Sequence, residues 1–245
     1  MPGVRTVLLL SVAALVWSGV SNLLLGDDGY LVRNLVLTAL LLTGAYRAGW
    51  SPTQLGLGRD QVPRGVGVGL AAAGVVGAAV LLGVLLAEQV PLLAGLLADE
   101  RAAEASANLL YETTLRIPLG TALFEEVLFR GVLLTVWTRA AGARAAGART
   151  AGARTAGART ALVGSSVVFG LWHVAPTMVA LELNGIAPTS VTGILGIVAG
   201  VVVTTIAGLL FAWLRRASGS LIAPILAHIA TNTFGLLAAV ATTAG

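Results

Sequence analysis

Seven apolar runs, separated by short polar or arginine-bearing segments, constrain the fold of this 245-residue chain more than any other feature. An α-helix rises about 1.5 Å per residue, so roughly 20 apolar residues cross the hydrocarbon core of a bilayer. Only 11% of the residues are charged, against about a quarter in soluble domains. The sequence therefore predicts an all-α, polytopic membrane helix bundle with seven or eight transmembrane helices. The runs are residues 7–25, 31–46, 66–87, 117–137, 161–179, 192–214 and 221–242.

Two segments affect the number of spans. Residues 91–97 could form a partial or interfacial helix, which would be an eighth element. The run 7–25 follows Arg5 as the apolar part of a signal peptide would, but it is long and lacks a clear small-residue cleavage site. We interpret it as a retained transmembrane helix.

All basic residues are arginines, and their distribution predicts the orientation of the bundle. With seven spans and a cytoplasmic N-terminus, most of the arginines fall on the cytoplasmic side, where basic residues concentrate in multi-pass proteins. We therefore expect the N-terminus inside and the C-terminus outside. The cytoplasmic set is Arg5, Arg47, Arg59, Arg64, Arg139, Arg144, Arg149, Arg154, Arg159, Arg215 and Arg216.

Two polar connections carry patterns of their own. A five-residue repeat, Ala-Gly-Ala-Arg followed by Ala or Thr, runs over about 140–160. A period of five matches neither helix nor strand, so we predict a flexible basic cytoplasmic loop at 139–160. Such a loop either contacts anionic lipid or only anchors the topology. Residues 98–116 carry Glu104, Asn108 and Glu112 at helical spacing, which predicts an external polar segment with an interfacial helix.

Two acids and an arginine interrupt the fourth apolar run. An ionisable group near the bilayer centre costs roughly 2.5 to 3.5 kcal/mol on insertion scales, and such groups are by default functional. Glu126 and Arg130 stand four residues apart and face each other on one side of a helix. Glu125 lies about 100° around the helix, where Arg130 cannot easily neutralise it. The unpaired acid suits a general base. The structural alternative is a helix-packing salt bridge with a spare acid facing water.

The chain contains two histidines, and both lie inside predicted spans. His173 lies roughly 18 Å from the cytoplasmic start of its helix, and Glu125 lies at a similar depth. His228 and Asn232 are one helical turn apart on one face of the last span. The polar groups of three spans can therefore converge on one chamber.

Three motifs, Glu125-Glu126-x-x-x-Arg130, Phe169-x-x-x-His173 and His228-x-x-x-Asn232, come in the order and membrane setting of a known family. The chain resembles the CPBP intramembrane endopeptidases, also called the Abi or type II CAAX prenyl protease-like family. Eukaryotic members trim prenylated CAAX proteins, and bacterial members are linked to bacteriocin processing or immunity. The resemblance implies catalytic helices within 117–245, preceded by N-terminal transmembrane helices and the external polar segment within 1–116. The arginine repeat is not a feature of the family.

The resemblance also implies a role for each polar residue of the chamber. Glu125 would activate water, and His173 would assist it. His228 and Asn232 would donate hydrogen bonds to the oxyanion of the tetrahedral intermediate. Glu126 and Arg130 would hold the helix. The expected catalytic set is Glu125, Glu126, Arg130, His173, His228 and Asn232.

The need for a metal ion is an open question at this point. Glu125, His173 and His228 are a plausible zinc set, and names of the family include both metalloprotease and glutamic endopeptidase. Asn232 is a poor zinc ligand but a good oxyanion donor, so we favour a mechanism that requires no cofactor and keep zinc as the alternative. The chain has no cysteine, which excludes thiolate metal sites and cysteine nucleophiles.

Other functions fit the motifs less well. The sequence lacks His-Glu-x-x-His, Gly-x-Gly-Asp and Gly-x-Ser-Gly, which other intramembrane proteases require. A proton-coupled transporter or a bacteriocin-immunity binding protein is the non-enzymatic alternative, because intramembrane Glu and His also form proton relays. A relay gains little from the amide of Asn232, so we favour peptide-bond hydrolysis near the cytoplasmic half of the bilayer.

The expected partners follow from this hypothesis. They are a peptide or protein substrate, with or without a lipid group, and the lipids of a bacterial cell membrane. We expect no contact with nucleic acid. The sequence does not indicate the substrate's identity or the oligomeric state.

Overall fold

The computed structural model describes residues 3–87, 89–90, 105–146 and 151–243, and the regular structure within these ranges is helical throughout. This confirms the predicted all-α class. The helices are α1 (Val4–Gly19, continued by a π-helical turn at Val20–Leu24), α2 (Tyr30–Arg47), α3 (Pro52–Leu55), α4 (Val62–Leu86), α5 (109–146), α6 (Ala151–Trp172), α7 (Val174–Leu183), α8 (Val191–Ser218) and α9 (Ile222–Thr243). A 3₁₀ turn at Arg59–Gln61 leads into α4.

Five helices in the described part of the chain are long and apolar enough to cross a bilayer. They correspond to five of the seven predicted runs, and they span Val4–Leu24, Pro52–Leu86, Ala156–Leu183, Val191–Ser218 and Ile222–Thr242. The other two runs, 31–46 and 117–137, are also helical and lie in α2 and α5. The count of seven spans is therefore approximate, while the polytopic membrane bundle is confirmed.

The helix α5 is one continuous rod of α-helical and π-helical segments. In order they are Leu109–Tyr111, Glu112–Ala122, Leu123–Glu126, Val127–Leu133 and Leu134–Ala146. The π-helical segment before the two acids contains Pro118, which has no backbone N–H to donate. Segments of π-helix occur frequently at functional sites, and here they flank the short α-helical turn that carries Glu125 and Glu126.

The segment predicted as an interfacial helix, 98–116, is continuous with α5 from Leu109 onward. Arg116 and Glu112 form an ion pair across one turn of this helix at 3.1 Å. Glu104 and the predicted element at 91–97 lie outside the described residues.

The arginine repeat is helical where the structure describes it, which corrects the prediction of a flexible loop at 139–160. The helix α5 continues to Ala146, and α6 begins at Ala151. Alanine and arginine are among the best helix formers, and together they outweigh a cost of about 1 kcal/mol for each glycine. A five-residue period spreads the arginines around the helix, but it does not prevent the helix from forming.

Glycines allow the helices to pack closely against one another around the centre of the bundle. The helix α4 packs along α9, and α6 packs along both α8 and the end of α5. A Cβ atom on Gly170 of α6 would lie 2.7 Å from the carbonyl oxygen of Val201 in α8. One on Gly69 of α4 would lie 3.1 Å from Cα of Ala223 in α9. Small residues permit this close approach of membrane helices.

The helix α1 packs against the same centre. The Ser18 hydroxyl donates a hydrogen bond to the carbonyl oxygen of Trp172 at 2.5 Å. Ala14 belongs to the buried core that also contains Phe124 and Phe169. These contacts place α1 beside the helices that carry Phe124, Phe169 and Trp172.

Candidate active site

The polar residues predicted for the site meet at the centre of the bundle. Glu125 and Glu126 lie on α5, His173 lies at the junction of α6 and α7, and His228 lies on α9. The two acids and His228 are each no more than 5% exposed. Asn232 lies one turn beyond His228, is partly exposed and has no hydrogen-bond partner among the described residues.

Glu126 connects α5 to α9 through one carboxylate oxygen. Its Oε1 accepts hydrogen bonds from Nη1 of Arg130 at 2.8 Å and from Nδ1 of His228 at 2.9 Å. The helical spacing predicts the contact with Arg130 but not the contact with His228. Glu126 is fully buried, so both bonds form without competition from water and are of the strong, charge-assisted kind.

Arg130 is enclosed by aromatic rings. Its Cζ atom lies 4.0 Å from the ring centroid of Phe169 and 5.1 Å from that of Phe211. Its Nη2 donates to the carbonyl oxygen of Gly208 in α8 at 3.2 Å. The face of an aromatic ring attracts a cation, most strongly where both are desolvated. The contacts with the carboxylate, the carbonyl and the rings together offset the free-energy cost of removing the guanidinium from water.

Glu125 has one engaged carboxylate oxygen and one free one. Its Oε1 accepts a hydrogen bond from Nε1 of Trp172 at 3.1 Å. Its Oε2 is buried without a hydrogen-bond partner among the described residues. This oxygen lies 3.9 Å from Nε2 of His228 and 4.0 Å from Nε2 of His173, beyond hydrogen-bond range. The three atoms therefore face one another across a small space.

Both histidines direct Nε2 toward this acid because Nδ1 is held elsewhere. Nδ1 of His173 lies 2.8 Å from the carbonyl oxygen of Phe169, and a carbonyl only accepts, so Nδ1 carries the proton. Nδ1 of His228 donates to a carboxylate in the same way. The neutral form of each ring therefore has an unprotonated Nε2. His173 also meets Phe169 edge-on at 4.6 Å, and His228 stacks on Phe211 at 5.0 Å.

The donor set of Glu125, His173 and His228 suits zinc in its chemistry, although its atoms lie further apart in this structure than the ligands of a bound zinc ion. Nitrogen and oxygen ligands lie about 2.0 to 2.2 Å from zinc, which places tetrahedral neighbours about 3.3 to 3.6 Å apart. The distances from Glu125 Oε2 to the two Nε2 atoms are longer, at 3.9 and 4.0 Å. Within the described ranges no group of three or more His, Cys, Asp or Glu is arranged to hold a metal ion.

Trp172 belongs to the site, and the sequence analysis missed it. It directly precedes His173, and its ring packs against Phe124 at 5.9 Å and Phe129 at 5.5 Å. A buried indole N–H usually finds a hydrogen-bond acceptor. The acids of the fourth predicted span were therefore candidate partners for the N–H of Trp172. Helical spacing within one segment cannot show which side chain of another helix it meets.

Residues 108–234 match the family described as type II CAAX prenyl endopeptidase Rce1-like. The match covers more than half of the chain and includes all three motifs. The chain therefore belongs to this family of intramembrane proteases and is an integral membrane protein, as the motifs and the apolar runs predict. No curated protein and no solved structure matches the chain.

Proposed function

We propose that the protein is an endopeptidase that hydrolyses a peptide bond within or beside the membrane, with Glu125 as the general base. The observation that carries this proposal is the free Oε2 atom of Glu125, which is buried and faced by Nε2 of His173 and of His228 at 4.0 and 3.9 Å. A general base must reach the proton that it takes directly or through one water. A water seated between Oε2 and the imidazoles is within hydrogen-bond range of Glu125.

In the proposed first step, this water gives a proton to Glu125, and its oxygen attacks the carbonyl carbon of the peptide bond. His173 accepts the second hydrogen bond of the water at Nε2, since its Nδ1–H is held by the carbonyl of Phe169. The tetrahedral intermediate then collapses, and the C–N bond breaks. Glu125 returns its proton to the leaving amine nitrogen, so the base is regenerated and two peptide ends are released.

The oxyanion of this intermediate would be held by Asn232 and His228. The amide of Asn232 is free to donate. His228 can donate from Nε2 only as an imidazolium, because its Nδ1–H is directed at Glu126. Each oxyanion donor contributes about 2.7 to 4 kcal/mol in comparable sites.

Glu126 and Arg130 act as positioning residues in this proposal. Through them α5 is tied to His228 on α9 and to the carbonyl of Gly208 on α8. We further propose that 117–245 forms the catalytic unit and that the helices within 1–116 support it, as α1 does through Ser18.

The proposed substrate is a peptide or protein segment, with or without a lipid group, that reaches the chamber from the cytoplasmic half of a bacterial cell membrane. The orientation follows from the arginine distribution. A cysteine placed at Gly152 of this cysteine-free chain should react with a membrane-impermeant thiol reagent only after cells are opened. Labelling from the outside of intact cells would overturn the orientation.

The function is tested with the full chain reconstituted in liposomes with membrane-anchored peptides, one of which ends in a prenylated CAAX sequence. We expect cleavage with the same rate before and after treatment with a zinc chelator, because no step uses a metal. If a chelator stops cleavage and zinc restores it, the metal-free mechanism is wrong. If no peptide is cleaved, and adding a solute instead causes proton uptake into the liposomes, the peptidase proposal is wrong and the protein is a proton-coupled transporter.

Replacing Trp172 with Phe should lower kcat about tenfold to 150-fold with KM unchanged, and it should lower the folded yield less than Glu126→Gln does. Phenylalanine keeps the ring packing against Phe124 and Phe129, but it removes the N–H that holds Oε1 of Glu125. A hydrogen bond to a charged group contributes about 1.5 to 3 kcal/mol. The control is Trp213→Phe on α8, whose side chain is 60% exposed. A kcat equal to that of the control would show that the indole does not position Glu125.

A further inference from the structure

A cavity of about 280 Å³ lies between α5 and the end of α8, away from the free oxygen of Glu125. Gln54, from the short helix α3, borders it together with Thr135 and Thr138 of α5. Among the described residues no acidic side chain lines it, and four arginines do. These are Arg130, Arg139, Arg215 and Arg216.

Three of these arginines have no carboxylate partner among the described residues. Arg139 donates to the side-chain oxygen of Gln54 at 2.8 Å, and Arg215 donates to the backbone oxygens of Gln54 and Gly219 at 3.1 and 2.8 Å. Nε of Arg215 is buried without an acceptor in that set. Arg216 is exposed. Neutral oxygens hold Arg139 and Arg215 in place, and all three arginines border the same cavity.

An oxyanion with several acceptor atoms is the ligand that such a set recognises. Guanidinium groups present N–H donors in a planar fork that matches phosphate and carboxylate oxygens. Like charges held close together repel each other, so a bound anion would stabilise the ends of the helices that carry them.

The position of the cavity in the bundle indicates where the anion comes from. Arg215 and Arg216 lie in the last turn of a membrane-spanning helix, and Arg139 lies just beyond the apolar run 117–137 with its Cζ atom 4.8 Å from the Trp50 ring centroid. Arginine and tryptophan at helix ends lie at the level of the lipid headgroups. Basic pockets between membrane helices at this level bind anionic headgroups.

We propose that this cavity binds the phosphate headgroup of an anionic phospholipid. Its volume of about 280 Å³ lies at the lower end of the sizes of ligand pockets, which suits a small group such as a phosphate headgroup. The proposal does not depend on the peptidase activity, because Glu125, Glu126 and the two histidines do not line this cavity.

The test counts phospholipids bound to the full chain in detergent by native mass spectrometry, with phosphatidylglycerol or phosphatidylcholine added. We expect one phosphatidylglycerol to bind about tenfold more tightly than phosphatidylcholine. Arg216→Gln, at an exposed position that the fold does not depend on, should weaken this binding about fivefold, and adding Arg139→Gln should weaken it about 25-fold. Arg159→Gln is the matched control, since this exposed arginine on α6 does not line the cavity, and it should bind like the wild type.

Competition distinguishes the sources of the anion. Inorganic phosphate should not displace the lipid, because the acyl chains add to its affinity. Displacement by inorganic phosphate would make the cavity a site for free anions, and displacement by a peptide acid but not by its amide would assign it to a substrate carboxylate. Either result would overturn the lipid proposal, as would equal binding by wild type and Arg216→Gln.

Discussion

Glu125→Gln should reduce peptide cleavage by about 10² to 10⁴-fold while the protein remains folded. The amide keeps the shape of the side chain and can still accept the hydrogen bond from Trp172 at Oε1. It places an NH₂ group where the free Oε2 now faces the two imidazoles, so it cannot take a proton from water. The measurement is kcat on a cleaved membrane-anchored peptide, with thermal unfolding in detergent as the test of folding.

The control for this substitution is Glu182→Gln, which makes the same chemical change at an exposed residue near the end of α7. It should cleave at the wild-type rate. Cleavage by Glu125→Gln within about tenfold of that control would mean that another group is the base.

Glu126→Gln should cause a large loss of stability. Oε1 of Glu126 receives hydrogen bonds from Arg130 and His228 and is fully buried. Removing the charge leaves a buried guanidinium without its counter-charge, and breaking one side of a buried pair costs roughly 3 to 5 kcal/mol. That is a large part of the 5 to 15 kcal/mol that folded proteins typically have. We expect a reduced monodisperse peak in size-exclusion chromatography and a lowered unfolding temperature.

A double substitution separates the loss of charge balance from the loss of packing. Replacing a buried ion pair by apolar residues of similar volume is often neutral, so Glu126→Leu combined with Arg130→Met should recover much of the folded yield that Glu126→Gln loses. It should not recover cleavage, since His228 no longer has its acceptor. A double variant that is as poorly folded as Glu126→Gln would show that the ion pair is not the reason for the loss.

The helical period is what made part of this site predictable. The pairing of Glu126 with Arg130 and the separate position of Glu125 follow from residue spacing alone, and the structure shows both. The contact between His228 and Glu126 joins residues 102 positions apart. It depends on how α9 rotates against α5, and no local pattern contains that information.

The prediction of a flexible loop at 139–160 was wrong because helix propensity outweighs the sequence period there. The repeat at 139–160 lacks a helical period, but alanine and arginine favour helix regardless of the period. The segment before the site is predicted as an interfacial helix because it is polar. In the structure, Leu109–Tyr111 opens the same helix that carries Glu125, and Glu112 and Arg116 form an ion pair within it.

Cleavage in water enriched in ¹⁸O tests the central claim most directly. If Glu125 activates a water that attacks the peptide carbonyl, the new C-terminal carboxylate made by the wild type gains one ¹⁸O atom in a single turnover. Glu125→Gln, which retains the fold, should yield about 10² to 10⁴-fold less labelled product in the same time. Product without ¹⁸O from the wild type, or labelled product from Glu125→Gln at the wild-type rate, would contradict the assignment of Glu125 as the base.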